Sequence, residues 1–357
     1  MLVEINRSTK HYIIAVNNAT GSAELQSDFS YLTDVEPGTI VFDLTHMTAP
    51  LTQERRAEYY PGGFGYQPTQ LLLEVVTSMA AAAHDQFKGV HRFQAVLPKV
   101  ESRVGRFLAE MQLPERLADI GVTVSRAGQA SREAGMDDPT RQNLIPLTAI
   151  KVGAAGPNFK LIRQLRERIE GVFVQALHEK RQLANMFTQV VSEAVDNLVV
   201  YGQGGLIGGL YYPRVGEVEI TLVNRRGGFG GDTPDEQLEE LVKACEKSIR
   251  KQEGGGNGIN ELSALTASCF GALVLRNGNA KLSLPPDGSV IGFTEDTGFI
   301  VPGASVTILL QLIPAETIDR NDTMKAYEAA LLASLERYVN GRQQPVTREW
   351  PQIRRPR

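Results

Sequence analysis

Apolar positions recur at helical spacing most strongly between residues 162 and 198. Ile162, Leu165, Ile169, Val172, Ala176, Leu183, Phe187, Val190, Ala194 and Leu198 fall three or four residues apart, with one skipped turn near Glu179. The spacing predicts one long helix, or two jointed at Gly171, with a single apolar face. Its near-heptad repeat makes the stripe a candidate homodimer seam; packing on the chain's own domains is the alternative. After Gly202 the period shortens. Strands are predicted over 206–212, 217–224, 272–276, 280–284 and 304–312, helices over 235–250 and 258–270, and a last helix over 323–339. Ahead of the stripe, short apolar runs at 12–16, 39–43, 92–97 and 121–124 read as strands. They are separated by helical patterns at 67–85 and 100–113, which together predict a small α/β layer domain. Residues 127–145 lack periodicity, and a strand-like piece over 147–152 follows them.

The expected division is an α/β domain over 1–126, a linker over 127–157, a helical connection with a second α/β domain over 158–340, and a basic tail over 341–357. The tail holds five arginines and one glutamate from Arg342 onward. The fold class expected is α/β (α+β).

Composition narrows the classes. The chain has 357 residues, 42% hydrophobic and 22% charged, which argues against wholesale disorder. A net charge of −4 gives no overall electrostatic footprint for nucleic acid. Two cysteines, Cys245 and Cys269, form neither a disulfide framework nor a four-cysteine zinc site, and suit a reducing compartment. No cationic segment precedes an apolar run near Met1, and no stretch approaches ~18 apolar residues. A cytoplasmic location without membrane contact is expected. His11, His46, His84 and His91 have no metal-ligand spacing, and His178-Glu-Lys-Arg181 reads as a solvated helix face.

Chemistry concentrates in the second half, where 20 of the 34 glycines lie between Gly202 and Gly303. Three features follow in order. Glu193 and Asn197, one helical turn apart, share a face at the end of the apolar stripe. An amide oxygen there can ligate Mg²⁺ beside phosphate oxygens, and a carboxylate can take a proton from a nucleophile. Next, the strand ending at Asn224 runs into Arg225-Arg226-Gly227-Gly228-Phe229-Gly230-Gly231. Last, Gly254-Gly255-Gly256-Asn257-Gly258 opens a helix, where free backbone N–H groups and the helix dipole favour an anion.

In this order the three resemble the ATP-binding module of the GHKL superfamily, which includes histidine kinases, gyrase, Hsp90 and MutL. Glu193 and Asn197 match its N motif. Arg226, Gly228 and Gly230 occupy its Asp-x-Gly-x-Gly position, Gly254 to Gly258 its second glycine box, and 302–308 its closing strand. The resemblance covers about 180–315. It implies a Bergerat-type sandwich of a mixed sheet and helices, with ATP held between the helices. Asn197 would hold Mg²⁺ against phosphates cradled by Gly254–Gly258. Glu193 would activate water, and residues 231–257, helix included, would form a mobile lid. Arg226 stands where the family has the aspartate that accepts from adenine, and Asn224 or backbone groups are the expected substitutes. Residues 38–44 and 104–111 resemble STAS-like regions that precede such modules in bacterial signalling proteins. The function implied is nucleotide-dependent control of a protein partner, with possible ATP hydrolysis. The alternatives are a serine/threonine or histidine protein kinase of the anti-sigma type, and a non-catalytic scaffold with a decayed pocket.

Overall fold

A computed structural model describes residues 3–6, 10–16, 32, 36–45, 47, 76, 87, 89–126, 143–153, 156–178, 180–200, 204–213, 216–224, 228–250, 258–269, 271–294, 303–311 and 320–341. The first sheet is built from β1 (Val3–Asn6), β2 (His11–Ala15), β3 (Thr39–Asp43), β4 (Arg92–Leu97) and β5 (Thr123–Arg126), in that spatial order. Strands β2 to β5 are parallel and β1 is an antiparallel edge. The period-two runs put Ile14, Ile40, Phe42 and Ala95 in a core with no exposure. Helices α1 (Arg103–Glu110) and α2 (Leu113–Asp119) lie between β4 and β5. The helical pattern at 67–85 falls outside the described residues, except Val76.

The second sheet has eight strands. They are β6 (Leu144–Gly153), β7 (Gly156–Pro157), β8 (Gly204–Tyr212), β9 (Glu217–Asn224), β10 (Ala272–Asn277), β11 (Ala280–Leu284), β12 (Ile291–Thr294) and β13 (Ala304–Gln311). Their order is β12-β11-β10-β13-β9-β8-β6-β7. Every pairing is antiparallel, so the sheet is not the mixed one that the resemblance implies. Residues 144–153 and 156–157, expected to lie in a linker, are instead two of its strands. The remaining helices are α3 (Phe159–Ala176), α4 (Arg181–Val200), α5 (Pro234–Ile249), α6 (Gly258–Ala267) and α7 (Arg320–Gly341). Among the described residues there are seven helices, and none is long and apolar enough to cross a membrane.

The apolar stripe folds back on itself. Helices α3 and α4 form an antiparallel pair, with Phe173 stacked on Phe187 at 5.0 Å between ring centroids. The break lies at Leu177–Lys180 rather than at Gly171, which sits inside α3. A single glycine within a helix costs only about 1 kcal/mol, and packing overrides it. Ile162, Leu165, Ile169, Val172, Leu183, Phe187, Val190 and Leu198 all enter the chain's own core with Val218, Ile220 and Leu222 of β9. The stripe is therefore packed within the chain's own core, the alternative to a dimer seam. Gly205 of β8 permits the close approach: a Cβ there would meet Leu198 of α4 at 3.2 Å.

The two faces of the large sheet serve different cores. Val218, Ile220 and Leu222 face the five helices. On the opposite face Val223, with Leu206 of β8 and Leu144 and Leu147 at β6, joins the core of the first domain. The Leu147 N–H donates to the Met111 carbonyl at 3.0 Å across that junction.

Candidate functional site

Alternation along β9 places Asn224 on the helix-facing side, in line with Ile220 and Leu222. A single register row runs across the sheet there: Gly205 beside Asn224, Asn224 beside Ala304, Ala304 beside Asn277 and Asn277 beside Ala280. Two asparagines thus stand among small residues at one end of the sheet. Asn224 is half-buried, whereas Asn277 is 3% exposed.

Helix α4 delivers its polar end to the same place. Leu198 packs over Gly205, so the last turns of α4 lie above this row. Glu193 and Asn197 of α4 are both exposed. Asp196, set 100° away around the helix, turns toward α3, where Arg166 Nη2 donates to both of its carboxylate oxygens at 2.6 Å. Helix α6 begins at Gly258 beside the far end of α5, where the Asn260 N–H donates to Ser248 Oγ at 3.0 Å. A Cβ on Gly258 would meet nothing within 4 Å, so this residue faces open space.

The first glycine turn is fixed by side chains that the sequence motifs did not single out. Asn277 Oδ1 accepts from the Phe229 N–H at 3.0 Å. Asn277 Nδ2 donates to the Gly230 carbonyl at 2.7 Å and to the Gln237 carbonyl at 3.1 Å. Gln237 Oε1 accepts from the Asn279 N–H at 2.9 Å, and its Nε2 donates to the Gly231 carbonyl at 3.4 Å. Gly230 and Gly231 have φ of 103° and 95°, which side-chain-bearing residues rarely adopt. One buried amide thus stands in for a neighbouring strand and holds the turn shut.

Helix α5, expected within a mobile lid, is a packed member of the helical layer. Leu238, Leu241, Val242 and Cys245 are at most 3% exposed. Burial pushes the Cys245 thiol up to about 12, which removes it as a nucleophile. His178 sits exposed in the turn between α3 and α4.

Of the residues expected from the sequence, Asn224, Gly228 and Gly230 lie at this end of the sheet, with Glu193 and Asn197 in the last turns of α4 above it; Gly258 lies beside the end of α5. Arg226, Gly254, Gly255, Gly256 and Asn257 lie outside the described residues. Among the described residues no cluster of three or more His, Cys, Asp or Glu side chains could hold a metal ion. Asn197 offers an exposed amide oxygen, a hard donor of the kind Mg²⁺ accepts. No protein-family model, no curated protein and no solved structure matches this chain.

Proposed function

We propose that the chain binds an adenine nucleotide with Mg²⁺ at this end of the large sandwich and uses the bound state to control a protein partner. The convergence of Glu193, Asn197, Asn224 and the Gly228–Gly231 turn carries this reading, and the start of α6 is the helix N-terminus it assigns to phosphate. These elements are far apart in sequence, and each has the chemistry for one part of a nucleotide.

Asn224 supplies an amide that can accept from the adenine N6 amino group and donate to N1. The same amide, flipped, can face guanine, so base selectivity is weaker than an aspartate would give. The start of α6, at Gly258 and Ile259, would offer N–H groups and the positive end of the helix dipole to phosphate, the Asn260 N–H being held by Ser248 Oγ. Asn197 would hold the metal, which neutralises phosphate charge. Glu193, one turn earlier on α4, is placed to take a proton from water and so allow slow hydrolysis.

Calorimetric titration with ATP, ADP and GTP, with and without Mg²⁺, tests the reading. Mg²⁺-dependent binding of ATP and ADP is expected. No heat with any of the three would overturn it in favour of a scaffold with a decayed pocket. A clear preference for GTP would show that Arg226, not Asn224, reads the base.

A further inference from the structure

Helix α7 grips the helical layer at two points that bracket the start of α6. Its apolar side, with Tyr327, Leu331 and Leu335 at most 5% exposed, enters the main core. Two carboxylates on the same helix reach in different directions. Glu328 Oε1 accepts from Asn260 Nδ2 at 3.0 Å, in the first turn of α6. Glu336 Oε1 accepts from Arg250 Nη2 at 2.8 Å, at the C-cap of α5.

The two gripped residues are themselves tied into their surroundings. The Asn260 N–H donates to Ser248 Oγ of α5 at 3.0 Å, joining the end of α5 to the first turn of α6. Asn260 is 4% exposed, and its Oδ1 is buried without a hydrogen-bond partner among the described residues. Its side chain therefore hangs on Glu328. Arg250 also pairs with Glu246, at 3.0 Å on its own helix.

We propose that α7 positions the first turn of α6: Glu328, through Asn260, and Glu336, through Arg250, set the spacing between the end of α5 and Gly258. This rests on the nucleotide reading above and deepens it, because Gly258, two residues before Asn260, is where that reading seats phosphate. Glu328 and Glu336 are positioning residues: Glu328 acts on the first turn of α6 through Asn260, and Glu336 on the end of α5 through Arg250. Losing Glu328 leaves a buried amide with neither its donor nor its acceptor paired, and the first turn of α6 must move or open to hydrate it. The exposed Arg250–Glu336 pair contributes less by itself, as such pairs do.

The test uses the full chain with Glu328→Ala, Glu336→Ala, both together, and Glu328→Gln, whose amide oxygen still accepts from Asn260. Amide hydrogen exchange is followed without ligand, and Mg²⁺–ATP affinity by calorimetry. In the double variant, exchange over 258–262 is expected to rise on the order of tenfold while β9 stays as protected as in the unaltered chain. ATP affinity is expected to fall on the order of tenfold. Glu328→Gln should restore both. Unchanged exchange over 258–262 overturns the proposal, and so does raised exchange with unchanged ATP affinity. Should the double variant not fold, Glu336→Ala, at an exposed position, carries the same two readouts at smaller amplitude. Absence of nucleotide binding by the unaltered chain overturns the nucleotide reading instead, and the ligand-free exchange keeps the two failures apart.

Discussion

Helices α4 and α5 cover the same face of the same sheet, yet they treat solvent in opposite ways. Helix α5 is sealed at its start. Thr233 Oγ1 accepts from the Glu236 N–H at 3.3 Å, and Glu236 Oε2 accepts from the Asp232 and Thr233 N–H groups at 2.9 and 3.1 Å. This capping box follows directly on a glycine turn that is itself pinned by Asn277 and Gln237. Helix α4 keeps Glu193 and Asn197 in water, above a row of small residues on the sheet. Position beside a glycine-rich turn therefore does not make a helix mobile. What decides is how many of its groups are buried and paired; by that measure both helices are seated, and α4 differs in carrying Glu193 and Asn197 exposed.

The sharpest way to break this contrast is Leu241→Ala in the middle of α5. Leu241 has no exposure, and its truncation should cost about 2–5 kcal/mol in urea unfolding. A loss under about 1 kcal/mol would mean that α5 is only loosely seated. Asn277→Ala comes next. It leaves the Phe229 N–H and the Gly230 and Gln237 carbonyls without this partner, at an expected ~2–3 kcal/mol, and should lower nucleotide affinity with stability. Unchanged stability would show that the turn holds its shape without that amide.

A smaller effect is expected at the cap of α5, where Thr233→Ala should cost ~1 kcal/mol. The box has a pH signature as well. Hydrogen bonds from the Asp232 and then the Thr233 N–H hold the Glu236 carboxyl below its usual range. Because the folded value lies below the unfolded one, this contribution is present above the ordinary carboxylate pKa and disappears as pH falls through the lowered value. Glu236→Ala should therefore destabilise at neutral pH and converge with the unaltered chain in acid. Parallel stability curves down to pH 3 would rule out this linkage.

Least is expected for stability on α4. Asn197→Ala and Glu193→Gln should each change unfolding free energy by under ~0.5 kcal/mol, because both side chains are exposed. Their effects should appear with ligand. Asn197→Ala should abolish the Mg²⁺ dependence of nucleotide affinity. Glu193→Gln should retain binding and slow any hydrolysis by ~10²-fold or more. A large stability change in either would place these residues in the scaffold instead.

Much of this architecture was legible because periodicity survives in long elements. Strands β9 and β11 fall on the predicted ranges, and α5, α6 and β13 differ by a few residues at their ends. The short edge strands β1, β7 and β12 were not foreseen: two to four residues carry no usable alternation. Strand β6 begins at Leu144, inside a stretch that reads as aperiodic. Its pairing with β8 shifts register between Ile145 and Thr148, which breaks the two-residue period. The site was partly legible. Glu193, Asn197 and the glycines follow an ordered motif, but Asn277 and Gln237 act on backbone groups far away in sequence. The only local signal is an amide on each side of Gly278 in a hairpin turn. The packed role of α5 was hidden for a related reason: an amphipathic helix between two glycine runs has the same pattern whether it is seated or free.

The alternation at the end of β9 has a thermodynamic consequence. Val223 and Asn224 are adjacent on one strand, yet the first belongs to the core shared with the N-terminal domain and the second to the candidate nucleotide site. A strand this firmly paired on both sides cannot shift one residue without the other. If the proposed nucleotide binds at Asn224, a ligand of the N-terminal domain that favours one seating of Val223 would alter its affinity, and the nucleotide would alter affinity for that ligand by the same factor. On that proposal the N-terminal domain would respond to the nucleotide without touching it, because the strand's own peptide bond joins the two residues.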